Sequence, residues 1–264
     1  TLGIQFKEDI ENFQKTELAT LIEEVKTEVF TPSPLNVGGK ATTNTFTKEK
    51  IIAQTNTQRS QNGSLPALVE NAKLDAAAKA KADDMFKNQY FEHVSPSGID
   101  PGELVKSAGY AYIVTGENLI LGNFTSEAEI VQKWMDSPGH RANILNNRFT
   151  QIGVAIVKGT YKGQTVWIGV QEFGLPLTAC EQPSTFLKNK IDTDKADLDT
   201  LSKAIEQKKA EIDSTKSGTS KYNQLVDEYN TMVKEYNILV QTIKDQIAQY
   251  NSQVNAFNQC VQGK

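Results

Sequence analysis

Histidine and cysteine are scarce in this 264-residue chain, which has two of each. The cysteines, Cys180 and Cys260, form no Cys-x-x-Cys pair, which excludes a structural zinc site of the finger type. Lysine and arginine total 28 against 32 aspartate and glutamate residues, with no basic stretch, so nucleic-acid binding is disfavoured. No apolar run approaches the roughly 18 residues needed to span a bilayer.

Apolar residues are also few for the length of the chain. They make up 38% of it, and the mean hydropathy is −0.45, which predicts that part of the chain is extended or helical and faces solvent. The length predicts one domain with appendages, or two domains. The sequence begins at Thr1 without a charged and then apolar leader, so a removed signal or anchor segment and a trimmed chain both stay open.

Each of the two histidines lies in a dense motif. His93 lies in YFEHVSPSG at 90–98, and His140 lies in WMDSPGHRANIL at 134–145. Between them Glu117 is part of GENLI at 116–120. Neutral imidazole is the commonest protein metal ligand, and two imidazoles with one carboxylate match a three-ligand site with an open position. If the three side chains meet, they form the chemical centre of the protein.

The first 45 residues predict a helix and a linker. Apolar residues recur at three- and four-residue steps over 6–29, a pattern typical of an amphipathic helix. The prolines of Thr31–Pro34 end it, because proline cannot continue the hydrogen-bond ladder. The stretch 31–45 is rich in Thr, Asn, Gly and Pro and predicts a linker.

Residues 46–178 predict a domain of helices around a small sheet, which is an α+β fold. Strands are predicted where apolar residues alternate, over 152–157 and 165–173, with Gly159 and Gly163 bracketing the loop of a hairpin. The predicted helices cover 47–61, 70–88, 126–136 and 138–146.

Residues 179–264 predict a coiled-coil helical hairpin. Apolar residues follow alternating steps of four and three on both sides of the turn at 214–220, and Tyr-Asn recurs at seven-residue steps from Tyr222. The two sides form either a simple intramolecular hairpin or a spacer or adhesion stalk, with 6–29 as a third strand. The apolar series comprises Leu187, Ile191, Leu198, Leu201, Ile205 and Ile212, then Tyr222, Val226, Tyr229, Val233, Tyr236, Val240, Ile243, Ile247, Tyr250, Val254 and Phe257.

Antiparallel folding at this turn brings Cys180 and Cys260 to the same end of the hairpin. A disulfide there closes a loop of about 80 residues and adds roughly 4–5 kcal/mol in the chain-entropy model. It implies an oxidising compartment. The alternative is two free thiols in a reducing cell.

Four stretches within 46–175 resemble the CAP superfamily (cysteine-rich secretory proteins, antigen 5 and pathogenesis-related 1 proteins), specifically its bacterial secreted branch. The resemblance implies an α-β-α sandwich with a central cleft in a secreted or surface-exposed protein. The stretches occur in family order and are FEHVSP at 91–96, GENL at 116–119, WMDSPGHRANIL at 134–145 and FTQIGV at 149–154.

The resemblance also implies a cleft tetrad of two histidines and two acidic residues, which can hold a divalent metal. His93, Glu117 and His140 match three of its members, and zinc is the metal expected. The fourth member, an acidic residue shortly after the tryptophan, would fall near Ser137 and is missing. Asp136 is adjacent, but neighbouring residues on a helix diverge by about 100°.

A purely structural interpretation covers the same residues. The histidines can be satisfied hydrogen-bonding groups, and Glu117 can accept backbone N–H bonds in a turn. The Ser-Pro pairs at 95–96 and 137–138 cap helices or set turns, Ser137 as an N-cap before proline. Trp134, Met135 and Trp167 are then core residues, although Trp167 can also line a pocket.

The function expected is a non-enzymatic extracytoplasmic module for binding or adhesion, located outside the cell or at its surface and associated with the envelope. Its ligand is a small molecule, lipid, glycan or protein. The chain has no Gly-x-Ser-x-Gly elbow and no Walker loop. The alternative is a metal-dependent hydrolase of an envelope polymer or peptide, using metal-activated water at the His93, Glu117 and His140 site. A third option is a structural surface protein with a vestigial cleft.

Overall fold

The structure is a computed structural model that describes residues 18, 27–40 and 43–263. The chain divides into two compact units: Val25–Ala179, and Cys180–Lys264 together with Thr1–Glu24. No helix within the described residues combines the length and the apolar character needed to cross a bilayer.

A six-stranded mixed sheet forms the centre of the unit Val25–Ala179. Its three long strands pair antiparallel, with the third strand in the middle. These strands are β4 (Tyr112–Gly122), β5 (Gln151–Tyr161) and β6 (Gln164–Pro176).

Three short strands pair parallel at the two edges of this sheet. β1 (Glu28–Phe30) and β2 (Leu35–Gly38) both lie beside β4, on the side away from β6. β3 (Val69–Glu70) lies beside β5 at the opposite edge. The edge at β4 is therefore covered by one segment of chain, Glu28–Gly38, in two separate pieces.

Helices cover both faces of the sheet, so the predicted α-β-α sandwich is confirmed. The second and third helices pack on one face, and the first, fourth and fifth pack on the other. In chain order these helices are α1 (Lys48–Gln61), α2 (Ala72–Asn88), α3 (Pro101–Ser107), α4 (Glu127–Asp136) and α5 (Pro138–Ile144).

Two details of the predicted sheet were wrong. The GENLI motif lies in the middle of β4 and not in a turn. Its two polar residues fit a buried strand because they lie opposite polar residues of β6. The hairpin loop consists of Lys162 and Gly163, both at positive φ as the tight two-residue turn requires. Gly159 instead lies within β5, where an added Cβ would lie 2.8 Å from the Phe86 ring.

The predicted N-terminal helix over 6–29 falls mostly outside the described residues. Its last two residues, Glu28 and Val29, belong to β1, and the predicted linker over 31–45 contains β2. The run Thr27–Thr31 is rich in β-branched and aromatic residues and precedes a proline, so its local preference is extended.

The second unit contains two long helices, α6 (Thr185–Ser214) and α7 (Ser220–Val261), which pack antiparallel. They reverse at Thr215–Thr219, where Gly218 has a φ of 79°. The predicted seam is mostly buried, while Leu225 is buried in place of Tyr222 and Val226. The helical hairpin is therefore present, and supercoiling of its helices stays a prediction.

Polar residues that interrupt the seam have partners across the hairpin. Asp194 accepts hydrogen bonds from Lys190 at 3.0 Å and from Gln246 at 2.8 Å. Lys208 pairs with Glu228 at 2.9 Å. These contacts fix the alignment of the two helices, because a shift along the seam would leave the buried Asp194 without its amide partner.

The disulfide predicted between Cys180 and Cys260 is present, and it joins residues 80 positions apart at the open end of the hairpin. A crosslink of this span reduces the entropy of the unfolded chain.

We expect Cys180→Ser/Cys260→Ser to lower the free energy of unfolding of the second unit by about 4–5 kcal/mol, because the unfolded chain regains its loop entropy. Denaturant titration followed by helical circular dichroism measures the loss. Reduced wild-type protein is the control and should match the variant. Reaction of the unreduced protein with a thiol reagent would contradict the bridge.

Candidate functional site

The register between β4 and β6 brings two pairs of polar residues to the middle of the sheet. Glu117 lies opposite Glu172, and Asn118 lies opposite Gln171. All four are buried. Because side chains alternate along a strand, the carboxyl pair faces the α2 layer and the amide pair faces the layer of α1, α4 and α5. The sheet thus carries an acidic pair on one face and an amide pair on the other.

The two carboxyl groups contact each other in a dry environment. Burial first, then the charge of Glu117 and a hydrogen bond with it, raise the pKa of Glu172 well above its ordinary value. A protonated Glu172 can donate to Glu117, and no other donor among the described residues reaches the Glu172 oxygens or Glu117 Oε2. Two adjacent carboxyls share a proton in this way because like charges cannot both ionise in a low dielectric.

Lys81 supplies a buried cation on the same face. Its Nζ donates to the carbonyl of His93. Burial lowers the pKa of Lys81, while the nearby charges of Glu117 and Glu172 partly oppose this shift. Lys81 therefore fixes the loop after α2 and balances the acidic pair.

His93 lies on the loop after α2, with both ring nitrogens in use. Its Nδ1 lies 2.6 Å from Glu117 Oε1, and its Nε2 bonds to the carbonyl oxygen of Pro32. Both neighbours are oxygen acceptors, so a ring with N–H on both nitrogens satisfies them. The side chain is only 11% exposed, so this pair is shielded from water.

His140 lies on α5, in the other helical layer, and is buried. Its Nδ1 lies 2.8 Å from Ser137 Oγ, and its Nε2 has no hydrogen-bond partner of good geometry among the described residues. Burial first, and then the charge of His93, lower the pKa of His140 to about 4, although the Leu119 backbone opposes the shift. His140 is therefore neutral at pH 7.

Amide side chains hold α5 against the sheet. Asn118 donates to the carbonyl of His140 and to Gln171 Oε1, both at 3.1 Å. Gln171 in turn donates to Thr55 Oγ1 on α1 at 2.8 Å. Asn143 donates to Asn118 Oδ1 at 3.0 Å and also reaches the carbonyls of Glu117 and Phe30. The network positions the His140 backbone beside Asn118.

The segment Thr31–Pro34 passes over this site between β1 and β2. Besides its bond to His93, Pro32 lies against Gly139 at the start of α5, where an added Cβ would come within 2.7 Å of Pro32 Cβ. Glycine at 139 therefore permits the close approach of Pro32. The edge of the cleft between His93 and α5 is closed by the chain itself.

The arrangement does not fit a divalent metal as it stands. No group of three or more His, Cys, Asp or Glu side chains lies in metal-binding geometry within the described part of the chain. His93 has no free nitrogen, so of the described groups at this site His140 Nε2, Glu117 Oε2 and the two Glu172 oxygens remain without a hydrogen-bond partner of good geometry. A three-ligand zinc site needs more nitrogen and oxygen donors directed at one point.

The structure brings His93 and Glu117 together and places His140 nearby on the opposite helical layer. Asp136 lies outside the cleft, exposed, and accepts from Gln132. Ser137 is the N-cap position of α5, as predicted, but its hydroxyl bonds to His140 and does not cap the helix. Trp134, Met135 and Trp167 are buried in the core, as predicted.

Sequence reasoning missed Glu172, Lys81 and Pro32. The signal for Glu172 was the polar pair QE at 171–172 inside an apolar strand, because consecutive polar residues in a buried strand need partners on both faces. Lys81 lies in an Ala-rich helix with other lysines and carries no distinctive signal. Pro32 was assigned to a helix stop.

We expect Glu172→Gln to stabilise the protein increasingly as the pH rises above about 4.5, the ordinary glutamate value. The wild type must take up a proton on folding in that range, which costs up to about 1.4 kcal/mol per pH unit until the raised pKa is reached. Below the ordinary value the carboxyl is protonated in both states and the two proteins should differ little. Urea titrations at several pH values measure this trend.

The exposed Glu49→Gln on α1 is the matched control, since it removes a carboxylate that faces water. A stability difference for Glu172→Gln that does not change with pH would contradict a buried, protonated Glu172.

The comparisons with known proteins agree with this fold. The profile of the cysteine-rich secretory protein family, CAP, matches residues 52–173. The uncharacterized protein YkwD of Bacillus subtilis is 37% identical over 163 residues, which cover 56% of this chain and 62% of YkwD. The chain therefore spans less than two thirds of this relative.

Two solved structures are also similar. An extracellular SCP-domain protein of Bacillus anthracis shares 29% identity and a TM-score of 0.39, covering 48% of this chain and 39% of that one. An outer surface protein of Borrelia burgdorferi shares 23% identity and a TM-score of 0.42, covering 53% of this chain and 99% of that one. With the ordered motifs around His93, Glu117 and His140, the profile match over 52–173 and the identity to YkwD support a domain of the bacterial branch of the CAP superfamily in this part of the chain.

Proposed function

We propose that this chain is a non-enzymatic binding module of the extracellular CAP type, whose cleft lies around His93, Glu117 and His140. The observation that carries the proposal is that both ring nitrogens of His93, the partly exposed histidine of the cleft, are already engaged by the protein. His93 is held between Glu117 and Pro32, and the second carboxyl, Glu172, is buried beside Glu117, which raises the pKa of Glu172 well above its ordinary value. Such a site can recognise a ligand but has no free base in reach of water.

The same geometry gives little support to a catalytic mechanism in which Ser137 is the nucleophile. Ser137 Oγ lies 2.8 Å from His140 Nδ1, which is the contact that a nucleophile and base would make. An active pair also needs a third group that orients the base. The other ring nitrogen, His140 Nε2, has no such partner among the described residues. The low pKa of His140, about 4, further weakens it as a base near neutral pH.

The extracellular location rests on two kinds of support. The Cys180–Cys260 disulfide is typical of an oxidising compartment. The profile that matches residues 52–173 is that of a secretory protein family. Adhesion through the helical hairpin belongs to the same proposal.

The divalent metal expected from the sequence carries a structural condition. His93 Nε2 must first leave the carbonyl of Pro32 before His93 can offer that nitrogen to zinc. The unpartnered His140 Nε2 and the carboxyl oxygens of Glu117 favour a metal in that open arrangement.

We expect an excess of zinc to leave the melting temperature of the wild type unchanged, because the closed cleft lacks a complete ligand set. If zinc bound with a dissociation constant of one hundredth of the added zinc concentration, it would instead stabilise the native state by about 2.7 kcal/mol. Thermal melts with and without zinc measure the difference, and His93→Ala/His140→Ala is the control. A zinc-dependent rise in the wild type alone would show that the cleft binds metal as it stands.

We expect no turnover of peptide or glycan substrates above that of a Glu117→Gln control, because no activated nucleophile faces the cleft. Incubation with envelope polymer fragments and with mixed peptides, followed by mass spectrometry, measures this. Cleavage by the wild type that Glu117→Gln abolishes would replace the binding proposal with the metal-dependent hydrolase.

A further inference from the structure

The chain's own segment Glu28–Gly38, termed the strap, lies along the outer edge of β4 as a bound peptide would. β1 pairs with Val114–Gly116, and β2 pairs with Ile120–Gly122. Between these two pairings, beside Glu117–Leu119 at the cleft, the strap runs as Thr31–Pro34. This part of the strap does not pair with β4 as a strand. The two prolines have no N–H to donate there.

The strap contributes little to the core of the unit. None of residues 27–40 is buried, and the side chains of Val29 and Phe30 are 38% and 37% exposed. The family profile begins at residue 52, so the strap lies outside the matched domain. A segment with this little buried surface can leave its position at lower cost than the long strands can.

Backbone groups make the central contacts of the strap. The carbonyl of Pro32 accepts from His93 Nε2, and the carbonyl of Phe30 accepts from Asn143 Nδ2 at 3.2 Å. At its end, the carbonyl of Gly38 accepts from the Asn123 N–H at 2.7 Å. Any extended peptide presents carbonyls in this way, which is how strand addition to a sheet edge gives affinity.

Two side chains of the strap add selectivity. Glu28 pairs with Arg148 at 2.8 Å, and the Phe30 ring packs edge-on against Phe149 with centroids 6.2 Å apart. Pro32 follows two residues later, against Gly139. The surface thus contacts an acidic residue, an aromatic residue and a proline at alternate positions of the strap. The strap sequence that makes these contacts is Glu-x-Phe-x-Pro.

We propose that the outer edge of β4, from Arg148 and Phe149 to His93 and Asn123, is a binding site for an extended, proline-containing peptide, and that the strap fills it in cis. This inference rests on the proposed binding role of the cleft and names its partner class. A tethered strap competes at an effective concentration of roughly millimolar, so a foreign peptide binds detectably only when the strap is weakened.

The test uses the full chain and a fluorescent peptide of residues 27–40, TEVFTPSPLNVGGK. The variant Glu28→Ala/Phe30→Ala removes the contacts of the strap with Arg148 and Phe149 and leaves the residues of the cleft unchanged. The matched control is Val69→Ala on β3, an apolar residue at the opposite edge of the sheet. A peptide with the same composition in scrambled order is the second control.

We expect the peptide to bind Glu28→Ala/Phe30→Ala at least about tenfold more tightly than it binds the wild type or Val69→Ala, by fluorescence anisotropy. Equal binding to all three proteins, equal binding of the scrambled peptide, or no binding to the strap variant would overturn the inference. The proposed binding role would survive that outcome, because a lipid or glycan ligand remains open. Cleavage of the peptide would instead refute the non-enzymatic role.

Amide hydrogen exchange on the wild type supplies a second measurement that needs no variant. We expect the amides of β1 and β2 to exchange at least about tenfold faster than those shared by β5 and β6, because the strap opens without global unfolding. Exchange of all these strands at one common rate would mark the strap as an integral part of the sheet and overturn the inference.

Discussion

The site depends on the pairing register of β4 and β6, which sets Glu117 against Glu172 and Asn118 against Gln171. A shift of β6 by one residue would turn Glu172 toward α1, α4 and α5 and Gln171 toward Lys81, on the opposite face from their partners on β4. Each group would then be buried without its partner, at a cost of about 1–3 kcal/mol apiece. The polar pairs therefore fix the register of β4 and β6 together with the apolar residues around them. They also determine where the two histidines lie against the sheet.

Closure of the cleft by Pro32 connects this register to function. Glu117 holds His93 from inside, and the Pro32 carbonyl holds the same ring from outside. Anything that binds His93 must compete with a backbone carbonyl, whether it is a metal ion, water or a peptide. Release of the strap and opening of the cleft are therefore one equilibrium between a closed and an open state. The closed state needs no ligand, since both ring nitrogens of His93 already have hydrogen-bond partners.

Local patterns in the sequence predicted the helical hairpin and four helices of the sandwich, while the short helix Pro101–Ser107 was missed. The heptads of α7 and the Ala-rich run of α2 bury one face whatever the rest of the chain does, so periodicity alone identifies them. β4 was missed because its central GENLI motif contains glycine and polar residues, which only the partners on β6 make compatible with a buried strand. The acidic pair and the Pro32 contact join residues 55 or more positions apart, and no local signal carries such a distance. The motifs identified His93 and Glu117, but not what fills the space beside them.

The two units are stabilised by different means. Both cysteines lie in the hairpin unit, where two long helices pack along a seam of buried apolar residues. A crosslink is effective there because it constrains the unfolded chain and does not require a thicker core. The unit Val25–Ala179 contains no cysteine and relies on a packed sandwich with buried polar pairs. A reducing environment therefore weakens the hairpin while leaving the cleft intact, so the redox state of the surroundings and the occupancy of the cleft act on separate parts of the chain.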